Sequence, residues 1–486
     1  MSPGGLPALL RTREDLVGRL LLAAAQLTAI AWFSPGPGLP LDDAWIHQVV
    51  ARTFAETGTL GYAPGQHGAA ATSYLWAALL AIGFKLPLFE PSRWALVLNG
   101  VAALATGQLL HAIVLRARPR GIAPGAWHVT SLVVSLLASI SPNILWFVCS
   151  GMEAMPLVAL SLAAIWAATS DDERPRPPPV AGITAGALAL VRPEAVPLGG
   201  LLAAHAFARK RRRSIALIAA PWIACVGVYV GSNIVKTGHA APSTLSGRRW
   251  LWFEMSSGLS RTDRALDFLD AWNTRLGSFT FDTSAAVVWV LVGIAAYGAI
   301  RIVRGSGMRL RETSVSEDAP KLLFAWALFH AAFYALLLPT PGHGGRYQPL
   351  TPLLFCACLP LGTAFVLREI ARIAGAPEKI GFGWFAAIGI APWVALAAPV
   401  TGSLRHANAL AVAHIQATEL GAGAFVNELP EGTLASFDIG GIGWLSKRPV
   451  VDLGGLSDPE TAKLLESGRI STWLEDKQVR WLVLPQ

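Results

Sequence analysis

The stretch LVGRLLLAAAQLTAIAWFSPGPGLPLDDAWI, residues 16–46, decides the class of this chain. Residues 16–33 form an apolar run of the length a membrane helix needs, roughly 20 residues for about 30 Å of hydrocarbon. A few residues later stand two adjacent carboxylates, Asp42 and Asp43. Acidic side chains at a membrane boundary are costly and mark functional sites. The pair opens a short amphipathic run to Glu56. The segment therefore reads as an anchor followed by an acidic exterior loop, suited to an enzyme that meets a lipid-tethered substrate at the membrane surface.

The remaining chain repeats the apolar theme. With 486 residues, 53% hydrophobic, 14% charged and a mean hydropathy of +0.48, it is far more apolar than a soluble protein. Further runs lie at 69–88, 93–115, 127–147, 153–170, 214–235, 285–304, 320–339, 349–368 and 381–400. These predict an α-helical polytopic membrane protein with about 10–12 membrane segments. The first run starts late and lacks a small-residue cleavage pattern, so it is expected to remain as an anchor. Between 179 and 207, two apolar halves are split by Arg192-Pro193-Glu194, which predicts a short hairpin or a broken helix. Cys149, Cys225, Cys356 and Cys358 all fall in apolar runs and read as packing residues.

The net charge of +8 is not a nucleic-acid signal, because the basic residues concentrate in short loops. Arg209 to Arg213, then Arg116, Arg118 and Arg120, then Arg301, Arg304, Arg309 and Arg311 mark the cytoplasmic side of the inner (plasma) membrane. Loops 34–68, 141–152, 236–284 and 340–348 are then exterior, as is everything beyond 402. Parity requires that 69–88 dip into the membrane or lie along it. The tail changes character. A helix-like stretch from Leu404 to Leu429 precedes short strands at 432–438, 450–453 and 479–484, with a helix from Leu464 to Asp476. This predicts a membrane domain over 1–402, with first exterior loop 34–68, and a small α/β extracytoplasmic domain over 403–486.

Several residues could do chemistry. Side chains of adjacent helical residues point about 100° apart, so Asp42 and Asp43 cannot serve one atom from a regular helix. At a helix N-terminus one could cap the amphipathic run while the other accepts a proton. Tyr62, His67, Tyr74 and Trp76 bring rings to the first exterior loop and, with Glu153, Arg192, Glu194 and Tyr347, are expected to line a substrate cleft, though an interfacial belt would also place the rings there. Glu153 sits at the same membrane level. Arg192 and Glu194 are expected to pair, and His343 and Tyr347 flank Arg346 in a short exterior loop. A guanidinium fork matches phosphate oxygens, which makes Arg346 the first choice for a phosphate, with Lys236, Arg248 and Arg249 as further cations. Asp42, Asp43 and Glu153 also offer the oxygen atoms a divalent ion takes.

The order of these motifs is similar to that of one family. Asp42-Asp43 is followed by Gly61-Tyr62, then Thr72-Ser73-Tyr74-Leu75-Trp76, Ser150-Gly151-Met152-Glu153, Arg192-Pro193-Glu194, Pro242-Ser243-Thr244 and Arg346-Tyr347. Asp438-Ile439-Gly440-Gly441-Ile442-Gly443 and Asp452-Leu453-Gly454-Gly455-Leu456 complete the series. The chain resembles the C-fold (GT-C) integral-membrane glycosyltransferases. Within them it is most similar to bacterial relatives of the terminal arabinofuranosyltransferase of the mycobacterial envelope. The resemblance implies an inverting transferase whose donor is a polyprenyl-phosphate-linked sugar and whose acceptor is a cell-envelope glycan or glycolipid. Asp42 or Asp43 would be the base, with no nucleotide or redox cofactor needed. The chain departs from the family pattern at Ala154 and at Ala241-Pro242-Ser243-Thr244.

Two other readings compete. A transporter or flippase of lipid-linked sugars would also need buried charges, but inverted repeats with paired broken helices are its usual signature, and only one broken segment is found. A non-catalytic envelope-assembly or sensor protein would use the tail as a binding module.

Overall fold

The computed structural model describes residues 13–34, 36–64, 72–86, 90–170, 179–242, 258–305, 314–337, 342–375, 381–446, 448–457, 461, 464 and 467–484. Helix α1 (Arg13–Phe33) is the expected anchor, and its Leu16, Leu20, Leu21 and Trp32 point outward, as lipid-facing residues do. The acidic pair opens α2 (Asp42–Thr57), which ends at Gly58 in the left-handed conformation. Next comes α3 (Tyr74–Gly83), ten residues and so about 15 Å long, too short to cross a bilayer. That length agrees with a segment that dips rather than spans.

Helix α4 (Pro91–Arg116) crosses fully. The run expected at 127–147 is not straight. It divides into α5 (Pro124–Ser139) and α6 (Pro142–Cys149), bent by 53°. The residue before a proline is pushed away from helical geometry, and Ser141 precedes Pro142. Helix α7 (Ala154–Ala168) then runs back along α4.

The segment split at Arg192 is a hairpin. Helix α8 (Val180–Val191) rises beside α10 (Arg212–Thr237), with Gly186 against Cys225. A short turn at Pro193–Ala195 reverses it into α9 (Pro197–Ala208), whose first turn takes the indole N–H of Trp222 on the Val196 carbonyl. The amphipathic α11 (Arg261–Leu276) is capped by a reciprocal Ser260–Asp263 box. Helices α12 (Ala285–Gly305), α13 (Ala319–Leu337), α14 (Leu350–Ile373) and α15 (Phe382–Ile415) complete the bundle. Among the described residues, seven helices are long and apolar enough to cross a membrane, or eight if the bent pair counts as one span. The protein is a multi-pass membrane protein. The four cysteines are free, and all but the half-buried Cys225 are buried in the bundle.

Helix α15 passes through position 402 without a break and carries the chain about 51 Å, well past any hydrocarbon core. The stretch from Leu404 is thus the end of a membrane helix rather than a separate element. It leads through a π-turn at Gln416–Leu420 into α16 (Gly421–Phe425). Strand β1 (Thr433–Ser436), helix α17 (Gly440–Leu445), strand β2 (Val450–Asp452), helix α18 (Ile470–Asp476) and strand β3 (Val479–Val483) follow. All pairings in the sheet are parallel, in the order β2-β1-β3, with Leu434 opposite Val450 and Trp481. This is the expected α/β tail.

Two cores hold the molecule. The larger fills the bundle around Trp127, Phe147, Trp326 and Phe365. The smaller joins Ile46, Val49 and Val50 of α2 to Leu434, Ile439, Ile442 and Val450 of the tail. Each such aliphatic side chain contributes about 1.5–3 kcal/mol on burial, so the acidic loop and the tail are one packed unit.

Candidate active site

The site forms where the ends of α1, α6, α8 and α13 meet the starts of α2, α7, α9 and α14. Asp42 and Asp43 occupy the first turn of α2, whose N-cap is Leu41, and neither caps that helix. Asp42 instead reaches into the tail. Its Oδ2 accepts the Gly440 amide at 2.8 Å and its Oδ1 the Gly441 amide at 2.7 Å. It thereby satisfies two orphan donors at the start of α17, a helix with no side-chain cap of its own. Arg52, three turns along α2, grips the other end of α17 by donating to the carbonyls of Gly443 and Trp444 at 3.0 and 2.9 Å. The Tyr62 hydroxyl donates to the Ile439 carbonyl between them.

The glycines of this segment follow from that contact. A Cβ on Gly440 would lie 2.1 Å from the Asp42 carbonyl oxygen, and one on Gly443 would lie 1.7 Å from the Tyr62 hydroxyl. Burial pushes the Asp42 carboxyl up to about 7, against the two amides that favour its ionised form; Asp43 and Asp438 push the same way. Burial also raises Asp438, helped by Glu419 and Asp43.

Asp43 has a different environment. Its carboxylate meets the guanidinium Nη2 of Arg346, and its side chain keeps 33% exposure while that of Arg346 keeps 4%. Arg346 follows a short turn at His343–Gly345 and stands just ahead of α14. Its Nε and Nη1 have no hydrogen-bond partner among the described residues. His343 is exposed beside it. Arg346 lies 5.3 Å from the Tyr347 ring, and Arg192 lies 5.0 Å from the same ring.

Arg192 organises the buried floor. Its Nη1 bonds Glu153 at 2.8 Å and its Nε bonds Glu194 at 2.8 Å, so the expected Arg192–Glu194 pair forms and gains a second acid. The Tyr334 hydroxyl donates to Glu194, and its ring stacks on Tyr347 at 5.7 Å. The second oxygen of Glu153 faces His47 Nε2 at 3.4 Å. Desolvation alone would raise Glu153, but Arg192 and His47 outweigh it and hold it below the usual carboxylate range. Burial, with Arg346 and Arg192 adding to it, lowers His47.

The other expected residues serve at the edge. Tyr74 packs on Tyr229 at 4.9 Å and donates to Asn233. Lys236 stands over the Tyr74 ring at 4.9 Å and donates to the Leu60 carbonyl at 3.2 Å, away from Arg346. Trp76 is fully buried and donates to the Gly151 carbonyl at 3.3 Å, so it supports the Glu153 turn from behind. His67, Arg248 and Arg249 lie outside the described residues. Asp42, Asp43 and Glu153 do not gather around one point among the described residues, because Asp42 faces the tail and Glu153 faces Arg192.

Sequence reading missed His47, Arg52 and Tyr334. His47 follows Asp43 by one helical turn, the spacing that puts two side chains on one face. Tyr334 and His330 repeat that spacing as polar interruptions of an apolar span, a usable signal.

With this geometry in hand, known proteins can be compared. A family model described as a domain of unknown function (DUF8728) matches residues 408–486. No curated protein matches the sequence. Solved structures do match the fold. The oligosaccharyltransferase AglB from Archaeoglobus fulgidus, in complex with an inhibitory peptide and a dolichol-phosphate, superposes with a TM-score of 0.57 at 13% identity, covering 98% of this chain and 70% of that one. ArnT from Cupriavidus metallidurans, bound to undecaprenyl phosphate, gives 0.54 at 14%, covering 96% and 91%. The fold is of GT-C type. The chain thus shares its architecture with an oligosaccharyltransferase and with ArnT, whose structures hold dolichol-phosphate and undecaprenyl phosphate.

Proposed function

We propose that this protein is an inverting glycosyltransferase that takes a sugar from a polyprenyl phosphate and adds it to a cell-envelope glycan or glycolipid on the extracytoplasmic side of the plasma membrane. The observation that carries this reading is the pairing of a half-open Asp43 with a buried Arg346 whose Nε and Nη1 have no hydrogen-bond partner among the described residues. Of the two adjacent acids, Asp43 is the base, because Asp42 is committed to the tail amides.

In the reaction, Asp43 takes the proton of an acceptor hydroxyl. The hydroxyl oxygen bonds the anomeric carbon from the face opposite the phosphate, and the carbon–oxygen bond to the phosphate breaks. The electron pair leaves on the lipid phosphate, where Arg346 offers its Nε and Nη1 donors. Arg192, Glu153 and Glu194 hold Tyr347 and the floor in place, so the step relies on positioning and charge stabilisation. Lipid phosphates in the AglB and ArnT structures support the carrier class. The order of sequence motifs favours an arabinofuranosyltransferase-like donor.

The test uses purified protein in vesicles containing a labelled polyprenyl-phosphate sugar and an envelope glycan. Release of polyprenyl phosphate with a glycoside of inverted anomeric configuration supports the reading. Sugar-lipid that crosses the bilayer uncleaved would make the protein a flippase instead.

A further inference from the structure

A second cluster lies at the opposite membrane face. Asp15 opens α1, His111 sits near the end of α4, and His128 lies in the first turns of α5. About 27 Å of helix separates Asp15 from Phe33, where the acidic loop begins. Asp15 and His111 are buried and His128 is mostly so.

Asp15 divides its carboxylate. Oδ2 accepts from Arg19 Nε at 2.8 Å, while Oδ1 faces His111 Nε2 at 3.5 Å and His128 Nδ1 at 3.8 Å. Ser131 holds the His111 ring. Its hydroxyl lies 2.8 Å from the His128 carbonyl and 2.9 Å from His111 Nδ1. With the ring proton on Nδ1, Nε2 presents a lone pair toward Asp15 Oδ1. In that tautomer two electron-rich atoms face each other at 3.5 Å, and a cation fits between them. His128 Nε2 has no hydrogen-bond partner among the described residues, so nothing commits that ring elsewhere.

We propose that Asp15, His111 and His128 bind a divalent transition-metal ion of the zinc class, at a site separate from the glycosyl-transfer centre. Two imidazole nitrogens and one carboxylate are a donor set typical of zinc. Tetrahedral bonds of about 2.0–2.2 Å put ligand atoms roughly 3.3–3.6 Å apart. One donor atom from each of the three residues already lies within 4.8 Å of the others. Ser131 on His111 and Arg19 on Asp15 supply the outer hydrogen bonds that orient metal ligands. A cleft of about 300 Å³, lined by Asp15, Arg19, Gln108, Arg116 and Trp166, opens beside Asp15. The ion would tie α1, α4 and α5 together at this face.

The experiment titrates untagged full-length protein in detergent with Co²⁺, followed by visible absorption. One equivalent should bind with tetrahedral d–d bands, be displaced by Zn²⁺, and raise the melting temperature. Asp15→Asn, His128→Ala and the milder His128→Gln should each lower the affinity at least tenfold, while Asp43→Asn keeps it. Absence of binding would mean that a proton alone fills the gap, and would overturn the proposal. So would a Co²⁺ signal that survives the Asp15 and His128 variants, or one lost in Asp43→Asn.

Discussion

Asp42 and Asp43 share a peptide bond yet take opposite partners. The first accepts two amides of the tail helix, and the second meets the Arg346 guanidinium. One residue of α2 therefore anchors the tail while the next meets Arg346. The juxtaposition ties the position of the tail to the geometry of the proposed base.

Removing the anchor tests that link. Asp42→Ala leaves the Gly440 and Gly441 amides without their acceptor, and an ordinary hydrogen bond contributes about 0.5–1.5 kcal/mol. The tail should become the first protease-sensitive part of the chain, with a loss of about 2 kcal/mol in local stability. Cleavage kinetics by a non-specific protease, compared with wild type, measure it.

Acidity gives a signed prediction. Asp42 is raised from 3.8 to about 7 in the folded state, so folding takes up a proton at intermediate pH. Its contribution is fully present below about 4 and is lost as pH rises through about 7. The melting temperature of the tail should fall across this window, and the difference between wild type and Asp42→Asn isolates this group from Asp438 and Asp452. An unchanged slope in Asp42→Asn would contradict the assignment.

Close approach gives a third. Gly440→Ala drives a methyl into the Asp42 backbone, and overpacking of this kind costs about 1–3 kcal/mol. The variant should insert in the membrane normally but lose the tail contact, read as increased accessibility of Trp444 to a fluorescence quencher.

Arg346→Lys separates charge from shape. Lysine keeps the charge but not the planar fork, so donor KM should rise roughly tenfold with a smaller effect on kcat. Equal losses in both parameters would indicate that Arg346 acts on the floor rather than on the phosphate.

Breaking the floor should be more severe than either. Glu153→Gln leaves Arg192 buried with one acid instead of two, and disrupting a buried pair costs about 3–5 kcal/mol. Reduced yield of folded protein, measured by size-exclusion in detergent, is the expected outcome.

Much of this was legible in the chain, for physical reasons. Apolar runs report spans because unpaired backbone groups are intolerable in lipid, and alternating short strands reported the tail. Arg192 and Glu194 were visible as charges inside an apolar stretch. The bend at Ser141-Pro142 was harder to read, since hydropathy does not register direction. The continuation of α15 to Ile415 was hidden because the chain turns polar beyond 402, while the helix carries on past the hydrocarbon. The division of labour between Asp42 and Asp43 was illegible because Gly440 lies 398 residues away in sequence. Local pattern carries no information about such a contact.

The most direct test is sugar transfer from a polyprenyl-phosphate donor by Asp43→Asn in reconstituted vesicles, beside wild type and Asp42→Asn. The account predicts that Asp43→Asn loses about 10²–10⁴-fold in kcat while Asp42→Asn retains most transfer. Wild-type transfer by Asp43→Asn would contradict it.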